Sequence, residues 1–277
     1  MRFASTCLLV IAVGCSAPAP SNTSLSQSRL TQAGDRASAL ARAGDYPGAA
    51  RQYAEALRIA TSLEDAGAIA SNAINLSIVQ QWLGRDAEAR AALSAVLDDT
   101  RTPFSERRRL QAELRRSILE LAAGNVGAAA VWVGQAENRC RDLSCEYAPT
   151  ILNVRAQVEL DSSRPADAAR LAQLALERAR SSGSRAEAAN ALRTLGRASH
   201  GQGQPGAALA LLKQALELDR ELGDPRKILA DLSALVRAAD AAGDAAAAKE
   251  YRERGLAVSR AMNDGRSAAE MEALLKR

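Results

Sequence analysis

The chain has 277 residues, 47% of them apolar but only 3% aromatic, and carries a net charge of +4. A single histidine, His200, excludes a multi-histidine metal site, and so small a charge excess on so long a chain does not call for nucleic acid. Ala, Leu and Arg dominate while Gly and Pro are sparse. That mixture predicts an all-helical chain built in thin layers and excludes collagen-like and disordered chains.

Residues 1–14 begin Met1-Arg2 and continue as an apolar run from Phe3 to Val13, too short to span a bilayer. The run ends Ala12-Val13-Gly14-Cys15. This stretch resembles a bacterial lipoprotein signal peptide with its lipobox; Gly14 and Cys15 fit that pattern, while Ala12 departs from the preferred Leu. The resemblance implies cleavage before Cys15, lipidation of Cys15 and attachment to the membrane through lipid alone. Ser16 stands where an Asp would resemble an inner-membrane retention signal, which implies an outer-membrane address facing the periplasm. An ordinary secretory peptide with a chance cysteine is the alternative. Residues 15–26, rich in Ser, Pro and Ala, then read as the lipidated cysteine and a flexible tether.

From residue 27 to 263 the sequence repeats itself. Segments starting at Gly44, Gly84, Gly124, Ser163, Gly203 and Gly243 are 40, 40, 39, 40 and 40 residues apart. Each has Ala five places on: Ala49, Ala89, Ala129, Ala168, Ala208 and Ala248. Mostly larger residues follow at nine and small ones at twelve, which places all three on one helix face. The turn residue ends one helix and the patterned helix follows, so each repeat is a helix pair that buries its stripe only by stacking on neighbours. Asp224-Pro225 reads as the start of a first helix, and Thr102-Pro103 as N-cap and first turn of a helix over 103–123. Gly183 and Gly223 mark stops. Residues 264–277, with Met271, Leu274 and Leu275 on one side, read as a capping helix.

These residues resemble the tetratricopeptide repeat, most closely at Gly44-Asp45-Tyr46, Ala49, Tyr53, Ala56 and Leu57 and again at Leu195-Gly196, Gly203, Ala208 and Ala215. The period of about 40 is similar to that of long-helix variants of the family. The resemblance implies a right-handed α-solenoid of six helix pairs plus the capping helix. Glu120 and Glu159 fall where the pattern expects an apolar residue, and a one-residue shift of helical phase would account for them. The family's role implies a non-catalytic scaffold or adaptor that binds a protein or peptide in envelope assembly: outer-membrane, pilus or secretion, or cell-wall machinery. A peptide or small-molecule sensor using the same groove, or an accessory subunit of an envelope enzyme, are the rivals.

In the family the first helix of each pair lines the concave groove. Carried over, this implies groove residues Asn190, Arg193, Arg197 and His200 in the fifth pair and Arg237 and Asp240 in the sixth. Arg193, Arg197 and His200 share one helical face, and three guanidiniums on a concave wall would favour an acidic or C-terminal carboxylate ligand. Solubilising surface charge is the competing reading. The third and fourth pairs show no readable groove phase.

Other features are expected to be structural. Gly201-Gln-Gly203-Gln-Pro-Gly206 has dinucleotide-loop spacing but falls at the repeat's turn, without the strand such a loop follows. Arg107, Arg108, Arg109, Arg115 and Arg116 read as a solvated face among glutamates. Asp98-Asp99 point different ways on a helix end, and His200 has no nucleophile elbow with it. Trp82 and Trp132 read as packing between repeats. Cys140 and Cys145 remain as an even pair in an exported chain and are expected to form a disulfide across a helix break near Asp142-Leu143; no second Cys or His pair could complete a tetrahedral metal site. The chain is therefore expected to have no catalytic residue, metal or cofactor.

Overall fold

The computed structural model describes residues 24–141, 145–262, 269 and 271–273. The lipidation candidate Cys15 and most of the expected capping helix lie outside the described residues. The described helices in chain order are α1 (Leu25–Arg42), α2 (Tyr46–Ser62), α3 (Ala66–Trp82), α4 (Asp86–Leu97), α5 (Glu106–Ala122), α6 (Val126–Cys140), α7 (Ala148–Asp161), α8 (Pro165–Ser181), α9 (Arg185–Gly201), α10 (Pro205–Leu222), α11 (Pro225–Ala241) and α12 (Ala245–Ala261). They pack as six consecutive pairs, an α-solenoid with no strand among the described residues. From α3 onward each odd helix also packs on the next odd helix, so the odd helices form the inner wall and the even ones the outer wall.

The turn inside each pair is the same device repeated. Backbone N–H groups of Asp45, Arg85, Asn125, Arg164, Gln204 and Asp244 reach back five residues to the carbonyls of Leu40, Gln80, Glu120, Glu159, Ser199 and Ala239, all at 2.8–3.0 Å. The residue before each donor has positive φ: Gly44, Gly84, Gly124, Ser163, Gly203 and Gly243. This is the Schellman closure, which glycine enters without Cβ strain. Because the third and fourth pairs close identically, no phase shift occurs at Glu120 or Glu159. Those carboxylates are accommodated by charge. Buried Glu120 accepts from Arg90 at 2.9 and 3.1 Å, from Arg116 at 2.7 Å and from Asn125 at 2.8 Å. Glu159 is flanked by Arg155 and Arg164.

The six alanines that follow the turns are all fully buried. At these crossings a methyl group is the spacer, which is why so few aromatics suffice for the core. Gly196 marks a close crossing between helices: a Cβ there would lie 2.6 Å from Leu212.

Two boundaries differ from the sequence reading. Helix α1 begins at Leu25, inside the span 15–26 read as tether, because Ser24 caps it through a reciprocal bond pair with Gln27. Helix α5 begins at Glu106, not 103, because Ser105 accepts from the Arg108 N–H as N-cap. Thr102 instead donates its hydroxyl to Asp99 in the preceding turn. Asp224 caps α11 as expected. Cys140 and Cys145 are joined by a disulfide across the α6–α7 junction, their Cα atoms 5.3 Å apart; the expected break at Asp142-Leu143 lies outside the described residues. Within the expected cap, Met271 is buried against Gly255.

Candidate partner-binding site

The inner wall has a groove of about 400 Å³ across α3, α5 and the start of α7. That volume lies within the range of ordinary ligand pockets. Its polar lining comes from Ser71 and Asn75 of α3, Arg108 and Gln111 of α5, and Thr150 of α7; Ile74, Leu114 and Ile118 supply the apolar part. The mixture suits an extended chain, whose main-chain amides need polar partners while alternate side chains seek apolar contact.

Several contacts hold this wall in place. Gln111 accepts from Arg108 at 3.0 Å and donates to the Tyr147 hydroxyl at 2.5 Å. Arg107 donates to the same hydroxyl at 3.0 Å and pairs with Glu146 at 3.0 Å. Tyr147 lies two residues after the bridged Cys145, so the disulfide fixes the segment that closes this side of the groove. Below it, buried Arg115 bonds the Ser77 hydroxyl and carbonyl and Gln81. Burial pulls the Arg115 pKa down to about 10, which leaves it charged at neutral pH.

The residues expected to form the groove in the fifth and sixth pairs behave differently. Arg193 is the main correction: it is buried, not presented to a ligand. Its Nε donates to Asp231 at 2.6 Å and its Nη2 to Asp219, so it fills the seam between α9, α10 and α11. A guanidinium leaves water only for such partners. Burial, opposed by Arg193, pushes the Asp231 carboxyl up to about 7 and also raises that of Asp219. Asn190 accepts from Arg193 at 2.9 Å and from Lys227 at 3.1 Å, and burial pulls the Lys227 amine down. Arg197 donates to Gln157 at 2.5 Å and reaches Asp161 at 3.2 Å, so it bridges to the fourth pair. His200 has its Nδ1 buried without a hydrogen-bond partner. Asp240, exposed, receives two bonds of 2.6 Å from Arg252, while Arg237 lies exposed on the same helix. A wall of three free guanidiniums is therefore not formed.

The arginine run is corrected as well. Only part of it is solvated: Arg115 is buried, Arg109 bonds the Val96 and Asp99 carbonyls, and Arg116 holds Glu120. The glycines from Gly201 to Gly206 do lie at the α9–α10 turn.

The groove across α3, α5 and α7 was missed, yet a signal for it was present. Thirteen residues before the turn residues Gly84, Gly124, Ser163 and Gly203 stand Ser71, Gln111, Thr150 and Asn190, all small hydroxyls or amides. The constant turn register carries the phase through the pairs where the apolar stripe is interrupted.

Residues 147–221 match a tetratricopeptide-repeat family model. That segment is tetratricopeptide-repeat sequence. The same turn register and buried alanines extend the architecture through all six pairs. Solved structures agree on the fold. A Rap protein complexed with competence and sporulation factor aligns at TM-score 0.64 and 16% identity, over 90% of this chain and 70% of that one. PilW, a widely conserved type IV pilus biogenesis factor, aligns at 0.55 and 16%, over 87% and 97%. BtubC (BKLC) from P. vanneervenii aligns at 0.53 and 18%, over 87% and 93%. No curated protein matches the chain. Among the described residues no helix is long and apolar enough to cross a membrane, and no cluster of His, Cys, Asp and Glu could hold a metal.

Proposed function

We propose that the chain is a lipid-anchored, non-catalytic scaffold of the bacterial cell envelope that holds an extended segment of a protein partner on its inner wall. The groove across α3, α5 and α7 carries this reading, because it places amide and hydroxyl groups beside exposed apolar surface at Ile118. The anchor rests on Gly14-Cys15 after a short apolar run, with lipid on Cys15 and an outer-membrane, periplasm-facing address. The Cys140–Cys145 disulfide supports an oxidising compartment. Envelope assembly, with pilus or secretion machinery among its branches, is the setting that the fold shared with PilW favours. Catalysis is not part of the reading. A second reading, a peptide or small-molecule sensor using the same groove, is favoured by one observation: the Rap protein of the same fold was solved complexed with competence and sporulation factor. In that case a free peptide would raise the melting temperature with no protein partner present.

The test is a photo-crosslinking residue at Asn75 in the full chain. Capture of a partner in membrane fractions, abolished by Ile118→Asp at unchanged melting temperature, supports the groove. Capture that persists in Ile118→Asp overturns it. Separately, Cys15→Ala should release the protein from membranes; wild-type protein already soluble with residue 1 intact would overturn the anchor.

A further inference from the structure

The two ends of the array touch. Arg226, the second residue of α11, carries its guanidinium carbon 4.9 Å from the Tyr46 ring centroid and 4.9 Å from that of Trp82. The two rings lie 5.1 Å apart and are inclined at 60°. Together they form an aromatic notch into which one planar cation fits against both. Tyr46 begins α2 and Trp82 ends α3, so both sit at the edge of the first two pairs where first helix turns into second. Arg226 sits at the opposite edge of the last pair, where α10 passes to α11. Opposite edges of the first and last pairs meet only if the superhelix has wound round onto itself.

The contact is local. Helix α11 makes no extensive helix-on-helix packing with α2 or α3. Among the contacts that join the two ends is a cation over two π faces, the stronger of them a tryptophan. Such a contact is directional and small, and Trp82 keeps 38% of its surface exposed at the junction. Its backbone setting is firm: Asp224 accepts from the Arg226 N–H at 3.1 Å, which fixes where the side chain leaves α11.

We propose that Arg226, Tyr46 and Trp82 form a clasp that closes the superhelix and controls entry to its inner wall. With the clasp shut, a partner segment reaches the inner wall by threading a free end along the axis. With it open, an internal segment can enter from the side. The clasp goes beyond the scaffold reading and holds whatever the partner proves to be.

The test uses the full chain with Trp132→Phe, which leaves Trp82 as the one tryptophan. Adding Arg226→Ala should shift the Trp82 emission and raise the radius of gyration in small-angle scattering, at unchanged helix content by circular dichroism. Arg226→Lys, which keeps charge but loses the plane, should fall between. Arg254→Ala removes a comparable contact over Tyr251 within α12 and should leave the radius unchanged. An Arg226→Ala protein with wild-type radius and emission overturns the clasp. Should that variant lose helix content, Tyr46→Leu and Trp82→Leu probe the other half of the notch, and wild-type radii in both overturn it equally.

Discussion

At the turn of the third pair one carboxylate, Glu120, faces two arginines; between the fifth and sixth pairs one arginine, Arg193, faces two carboxylates. Both clusters are buried, yet they titrate in opposite directions. Hydrogen bonds from Arg90, with those from Asn125 and Arg116, outweigh burial and hold the Glu120 carboxyl at about 2. At Asp231 burial outweighs Arg193, the neighbouring Asp219 adds repulsion, and the carboxyl rises to about 7. Donors per carboxylate, and not burial alone, set the sign.

The largest expected effect breaks the second cluster. Arg193→Ala leaves two acidic groups buried without their cation and should cost about 3–5 kcal/mol at pH 7, read by denaturant unfolding. The cost should shrink toward pH 4, where the carboxyls protonate; a cost independent of pH would refute the shared-cation account. The wild-type protein carries the same signature. The Asp231 pKa is raised on folding, so its stabilising contribution is full below the unfolded value of 3.8 and is lost as pH rises toward about 7. Asp231→Asn should remove that slope.

Breaking the first cluster should do the reverse. Glu120→Gln keeps the shape but loses the charge and should cost about 1–3 kcal/mol at pH 7. Because the Glu120 pKa is depressed, its contribution is present above the unfolded value of 4.5 and disappears as pH falls toward about 2. The penalty of Glu120→Gln should vanish over that window, as melting curves at stepped pH would show.

Between the two clusters lies the disulfide junction. The double substitution Cys140→Ser, Cys145→Ser should cost about 2 kcal/mol by chain entropy. Combined with Arg193→Ala, the losses should add within about 0.5 kcal/mol, since no partner is shared. A larger deviation would mean that the two regions are coupled. The smallest effect is a gain. Ser163 holds a left-handed conformation at φ 60° that the other five turns give to glycine, and Glu159 beside it occupies the position of Glu120. Ser163→Gly should stabilise by about 1 kcal/mol, visible as a higher melting temperature.

The contrast between the clusters also marks how far the sequence could be read. The repeat, the turn residues, the buried alanines and the cysteine pair were all legible. Each is a local signal: a left-handed turn needs Gly within a few residues of its hydrogen bond, and a close crossing needs Ala on the crossing face. The fate of Arg193 was not legible. Its spacing with Arg197 and His200 correctly describes one helical face, but Asp219 and Asp231 lie 26 and 38 residues away. Only the packing of α10 and α11 against α9 turned that face into a seam. The interrupted stripe at Glu120 and Glu159 hid the groove for the same reason, because the arginines that excuse those carboxylates belong partly to neighbouring elements.

Local backbone geometry and helix-face period thus lie within the reach of the chain's own order, since they act over three to five residues. Which charges leave water, which inner-wall residues remain open, and that Arg226 meets Tyr46 and Trp82 were decided by tertiary structure. Those outcomes depend on the summed small rotations of six stacked pairs, which bring together residues that no period in the sequence connects.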